Sequence, residues 1–183
     1  VEHQCASKMF SEGANEVLCE PLARLKKEHD PLRKQMEDLA FSVNTIVSEN
    51  GSDRWQLELV DLEIKVETFM KELGPHSEQE EGVLFPMMAN YIGRTTGPIA
   101  VMEYEHDQAK ENLKIFQVSM KKLDLKIINL NRAKEIALYV HKAYTILTDH
   151  FLKEENILFP LAEKMLSAED KEQLLQKLKD RQI

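Results

Sequence analysis

Apolar residues recur along this chain at steps of three and four in four long stretches, and no other feature of the sequence restricts the fold so sharply. The first stretch runs Leu18, Leu22, Leu25, Leu32, Met36, Leu39, Val43 and Ile46, and the second Leu59, Leu62, Val66, Phe69, Leu73, Val83 and Met87. The third runs Ile99, Met102, Ala109, Leu113, Phe116, Met120 and Leu123, and the fourth Ile136, Val140, Ala143, Leu147, Ile157 and Leu161. On a helix each set falls on one face. Turn-forming clusters separate them at Asn50-Gly51-Ser52-Asp53, at Gly93 to Pro98 and at Asn129-Leu130-Asn131. Four amphipathic helices joined by short turns bury their stripes most simply as an antiparallel up-down four-helix bundle, so the expected fold class is all-α. Ser167 and Asp170 stand in capping-box spacing ahead of Leu174, Leu175 and Leu178, which predicts a short extra helix from about residue 167. Residues 1 to 15 have no period and are expected as an N-terminal arm, leaving residues 16 to 183 to the bundle and its extra helix. Pro75 is expected to kink the second helix ahead of His76.

Polar residues interrupt every stripe. His29 breaks the first, His76 and Glu80 the second, His106 the third, and His150 and Glu154 the fourth. In an antiparallel pair, residues equally far from the shared turn lie level; His29 and His76 match in this way, as do His106 and His150. Four imidazoles and two carboxylates are thereby expected in one layer of an apolar interior. A buried unpaired charge has an effective cost of several kcal/mol, against a total stability of about 5 to 15 kcal/mol. Divalent metal removes the conflict. Imidazole nitrogen with carboxylate oxygen suits iron, zinc, manganese or copper, and the step His-x-x-x-Glu puts both donors on one helix face. Two such pairs imply two ions, whose charge exceeds that of two glutamates and invites an oxo or hydroxo bridge. Six protein ligands shared between two ions leave coordination positions open to a small exogenous ligand.

The neighbours of these residues are read as less committed. His141 is expected on the solvent face, opposite His150. Glu81 and Glu155 are rotated away from Glu80 and Glu154 and are expected at the surface or behind the ligands. Glu28, Asp30, Glu105 and Asp107 flank histidines and are expected on solvated faces, with an orienting role for any of them as the alternative.

Composition sets outer limits. The chain has 183 residues with a formal net charge of −8, and no basic cluster interleaved with aromatics, which argues against nucleic acid as partner. No apolar run reaches the roughly 20 residues of a membrane helix. Two cysteines, Cys5 and Cys19, make no disulfide framework, and a cytoplasmic location is expected.

The polar layer is also written twice. Glu28-His29-Asp30 recurs as Glu105-His106-Asp107, and the stretch from His76 through Glu80-Glu81 to Leu84-Phe85-Pro86 recurs from His150 through Glu154-Glu155 to Leu158-Phe159-Pro160. This doubled pattern resembles the hemerythrin-like (HHE) cation-binding family, over roughly residues 18 to 165. The resemblance implies a four-helix bundle holding two non-haem iron ions, with His29, His76, His106 and His150 as ligands and Glu80 and Glu154 as bridges. One turn beyond His106 stands Lys110, where oxygen-carrying members have a fifth histidine. The site therefore looks more like the four-histidine form of bacterial relatives, iron-sulfur repair proteins among them. The resemblance to those repair proteins implies a cysteine-bearing N-terminal domain, for which residues 1 to 15 are expected to be too short.

Three functions follow as expectations. The leading one is a di-iron protein that binds or reduces oxygen, nitric oxide or peroxide for sensing, storage or detoxification, with a possible redox partner. The alternative is an iron-sulfur cluster repair or iron-donating stress protein. The third is a partner-binding bundle stapled by a structural metal such as zinc.

Overall fold

The computed structural model describes residues 17–48 and 54–180. The expected N-terminal arm, with Cys5, and the tip of the first turn lie outside them. The chain is an all-α bundle of four long helical stretches with a further C-terminal helix. Helix α1 spans Glu20–Val47; α2 spans Trp55–Gln79 and passes through a π-helical turn, Glu80–Leu84, into α3, Phe85–Ile92. Helix α4 spans Pro98–Lys121. Helix α5 spans Leu130–Lys153 and likewise continues through a π-helical turn, Glu154–Leu158, into α6, Phe159–Met165; α7 spans Ala168–Asp180.

Local chemistry explains the boundaries. Gly93 and Gly97 take φ of 77° and 81°, a region that side chains disfavour, and the Gly93 N–H closes α3 on the Ala89 carbonyl. Asn129 caps α5, its Oδ1 accepting from the Arg132 N–H at 3.0 Å. Ahead of α7, Ser167 Oγ accepts from the Asp170 N–H at 3.1 Å while Asp170 Oδ2 accepts from the Ser167 N–H at 3.1 Å, the capping box read from the sequence. Helix α2 runs unbroken through Pro75. The departure from α-geometry comes later, at Glu80.

Both π turns precede Phe-Pro. An α-helical ladder would ask the nitrogens of Pro86 and Pro160 to donate to the carbonyls of Gly82 and Asn156, which proline cannot do. The chain widens instead: the Phe85 N–H donates to Glu80 O, and the Phe159 N–H to Glu154 O. Each proline then sits in the first turn of the next helix, where no N–H is needed. The wider turn takes in one more residue, so the buried face moves on by one position. Ile157, expected in the seam, is 42% exposed, and Leu158 is buried in its place. Leu161 is only partly buried, while Ala162 is buried fully.

The chain divides into two compact units. Among the described residues, one contains 17–30, Pro75–Glu103 and 149–180. Its core joins Leu22 and Leu25 of α1, the buried residues from Val83 to Met88, Ile99, Met102, Leu158, Phe159 and Ala162. Leu174 and Leu178 of α7 are fully buried in that same cluster, so the last helix completes this core. Lys171 Nζ ties it down through the Glu163 carbonyl at 2.7 Å. Cys19 lies here with a free thiol, which burial and the Glu163 carboxylate push up to about 11. The other unit, Pro31–Gly74 and Tyr104–Thr148, buries the remaining stripe residues from Leu32 to Leu73 and from Ala109 to Leu147, except Leu123, which is partly buried. Gln35 Nε2 donates to Glu72 Oε2 at 2.6 Å there, and Lys65 Nζ donates to Ser42 Oγ at 2.8 Å. Among the described residues, no helix is long and apolar enough to cross a membrane.

Candidate metal centre

Helical periodicity carries six polar side chains inward. His29, Glu80, His150 and Glu154 are fully buried, His106 is 1% exposed and His76 2%. The i, i+4 step brings each histidine of the two doubled motifs to its glutamate: His76 Nε2 lies 3.5 Å from Glu80 Oε1, and His150 Nε2 lies 3.1 Å from Glu154 Oε1. The helices then meet. His29 Nε2 lies 3.1 Å from His76 Nε2 and 3.3 Å from Glu154 Oε2. Glu154 thus turns one oxygen to His29 and the other to His150, which is the disposition a bridging carboxylate needs. The ligand atoms of His29, His76, Glu80 and Glu154 all lie within 4.8 Å of one another.

Behind the inner atoms stand two further carboxylates. Glu155 Oε1 lies 2.7 Å from His29 Nδ1, and Glu28 Oε2 lies 3.0 Å from His76 Nδ1. A carboxylate at Nδ1 holds the ring proton there and leaves the Nε2 lone pair facing inward. Glu28 is tied on its far side by Arg24, 3.7 Å away. Aromatic rings enclose the His29 end: Phe151 stacks on the imidazole with centroids 4.1 Å apart, and Phe159 lies 5.7 Å away at 28°.

Electrostatics describe a layer that wants cations. Burial pushes the Glu80 carboxyl well above the usual carboxylate range, and the negative charge of Glu154 pushes it further. Burial acts on Glu154 in the same sense, but the imidazoles of His150 and His29 outweigh it and hold that carboxyl well below. Burial would lower His29, yet its bonds to Glu154 and Glu155 raise it. Without metal, protons do the neutralising. The donor set fits a metal ion on geometry as well: two nitrogens at right angles, each about 2.1 Å from a common ion, are about 3.0 Å apart. The two Nε2 atoms of His29 and His76 have nearly that spacing, and lone pairs facing each other so closely repel unless a cation or proton lies between them.

All six sequence-predicted residues are buried as expected. Asp30 and Asp107 are exposed, as their flanking positions imply. His141 differs from its expectation: it is half-buried and stacks on Tyr144, with centroids 6.0 Å apart. The flanking position of Glu28 implies a solvated face, with an orienting role as the alternative, and the structure shows it against His76 Nδ1. Phe151 was missed altogether, because it lies beside the stripe rather than in it. The duplication of the Glu-His and Glu-Glu pairs is the signal that marks the two outer carboxylates.

A helical bundle with a buried His/Glu layer defines the class of cation-binding helical proteins. The chain matches the hemerythrin HHE cation binding domain over residues 20–162, and it belongs to that family. Among curated proteins it is similar to the iron-sulfur cluster repair protein YtfE of Salmonella typhimurium, 36% identical over 50% of this chain and 42% of the relative. It is similar also to the YtfE proteins of Musicola paradisiaca, 34% identical over 51% of this chain and 42% of the relative, and of Yersinia pseudotuberculosis, 27% identical over 75% and 62%. In each case the chain spans less than two thirds of the relative's length. Among solved structures no significant match was found.

Proposed function

We propose that this chain is a non-haem di-iron protein of iron-sulfur cluster repair, with His29, His76, His106 and His150 as imidazole ligands and Glu80 and Glu154 as bridges. The observation that carries the reading is that the curated relatives this chain is similar to bear the name of cluster repair proteins. The geometry agrees with it: each oxygen of Glu154 addresses a different histidine, as a carboxylate shared by two ions does. Bound iron would supply both exchangeable metal for a damaged cluster and redox chemistry toward small molecules. The protein's own part is to hold the donors in a buried layer, to fix imidazole orientation through Glu28 and Glu155, and to shield the His29 end with Phe151 and Phe159.

The test is addition of the iron-loaded protein to an oxidatively damaged [4Fe–4S] enzyme, with recovery of that enzyme's activity as readout. Recovery with the wild-type protein and none with Glu154→Ala is the expected result; no recovery with fully loaded wild-type protein overturns the reading. A second reading, binding or reduction of oxygen, nitric oxide or peroxide, is supported by the ligand count, since six protein ligands leave two ions coordinatively unsaturated. Its test is a change in the visible charge-transfer bands when the reduced protein meets either gas. Redox-silent zinc at two per chain after native purification would instead favour a structural staple.

A further inference from the structure

We propose that Glu28 and Glu155 are positioning residues of the metal centre, each aiming and electronically tuning an imidazole on a neighbouring helix. The inference rests on the reading of His29 and His76 as ligands and goes beyond it. Glu28 precedes His29 in the chain yet bonds His76, at 3.0 Å from Nδ1. Glu155 follows Glu154 yet bonds His29, at 2.7 Å from Nδ1. The pairs therefore cross-tie the elements that supply the ligands: α1 holds α2's histidine, and the π turn after α5 holds α1's. Both carboxylates sit at the margin between the buried layer and solvent, with side chains 28% and 15% exposed, against 2% and 0% for the histidines they touch. Such residues read as ordinary surface glutamates until the imidazole behind them is seen.

The chemistry is specific. An anionic acceptor on Nδ1–H makes the ring a stronger donor at Nε2, and replacing such partners typically weakens metal binding by roughly 10- to 100-fold. A glutamine keeps an acceptor oxygen for the ring proton but removes the charge. An alanine removes both. The shorter, better-buried Glu155 contact is expected to matter more than the Glu28 contact. Each has a counterpart in the other copy of the sequence repeat, Glu105 for Glu28 and Glu81 for Glu155, so the pattern is written twice.

The test uses the full chain and iron as the probe. Iron affinity is measured by chelator competition, and the reduction potential and charge-transfer bands are recorded, for wild type, Glu155→Gln, Glu28→Gln, Glu155→Ala and His29→Ala. Expected are roughly 10- to 100-fold weaker binding in the glutamine variants, a shifted potential, and a larger loss in Glu155→Ala. Unchanged affinity, potential and bands in both glutamine variants, with iron lost in His29→Ala, overturn the proposal and leave the ligand assignment standing. Two irons retained by His29→Ala overturn the ligand assignment itself. A purely structural role for the carboxylates would lower thermal stability without moving potential or bands, and that outcome also overturns the proposal.

Discussion

The Phe151 ring lies 12° from parallel to the His29 imidazole, with centroids 4.1 Å apart, so one face of a candidate ligand is sealed by an apolar side chain. Both residues are fully buried. Replacing Phe151 with Ala removes that wall, opens a cavity beside the imidazole, and is expected to cost about 3 to 5 kcal/mol of folding stability. Denaturant unfolding of the metal-free protein measures this directly. Phe151→Leu, which retains much of the volume, is expected to lose less.

Glu80 and Glu154 are expected to fail in the same way when shortened. Either change to Ala withdraws a carboxylate from the group of candidate ligands. Iron per chain after reconstitution should fall from two, in each single variant, by elemental analysis. Two irons retained in both variants would contradict the bridging roles.

The pH response is expected to change sign with metal. In the metal-free protein Glu80 and His29 are raised, so the folded state holds protons that the unfolded chain releases. The stability they contribute is present below the unfolded values and is lost as pH rises through the folded ones. Glu154 is lowered and acts oppositely: its contribution is present above the unfolded value and lost on acidification. Metal-free thermal stability should therefore decline as pH rises from the ordinary carboxylate range past the ordinary imidazole value. Iron binding needs neutral imidazoles and ionised carboxylates, so the stabilisation by iron should grow over that interval. Melting temperatures of the two forms across this range check both slopes.

Ser167 anchors the last helix through its hydroxyl and backbone. Ser167→Ala should destabilise by about 1 kcal/mol, with the effect concentrated in α7. Hydrogen exchange at the first amides of α7 would locate the loss.

Much of the centre was legible in the residues themselves. Histidine and glutamate inside an apolar stripe are costly wherever they fall, so His29, His76, Glu80, His106, His150 and Glu154 marked the layer before any coordinates. What the period of an ideal helix hides is a change of pitch. Counting threes and fours past Glu154 selects Ile157, whereas the π turn delivers Leu158. Glu28 and Glu155 were only half legible: each stood either as a surface group or as a support for an imidazole, and the partners that decide between the two, His76 and His29, lie on other helices. Phe151 escaped because the buried face is wider beside α1 than a single stripe.

Given the proline that follows, the widened turns rest on the number of residues ahead of it rather than on their kinds. Between the paired glutamates and the Leu-Phe-Pro that follows, one copy of the motif reads Gly82-Val83 and the other Asn156-Ile157, with different letters and the same tally. Because the proline that follows still lacks an N–H, excising one of these residues would leave the wide turn in place and swing everything downstream by roughly 100°. Divergent versions of this segment are free to change their spelling, but a single deletion would turn the second half of each interrupted helix away from its core.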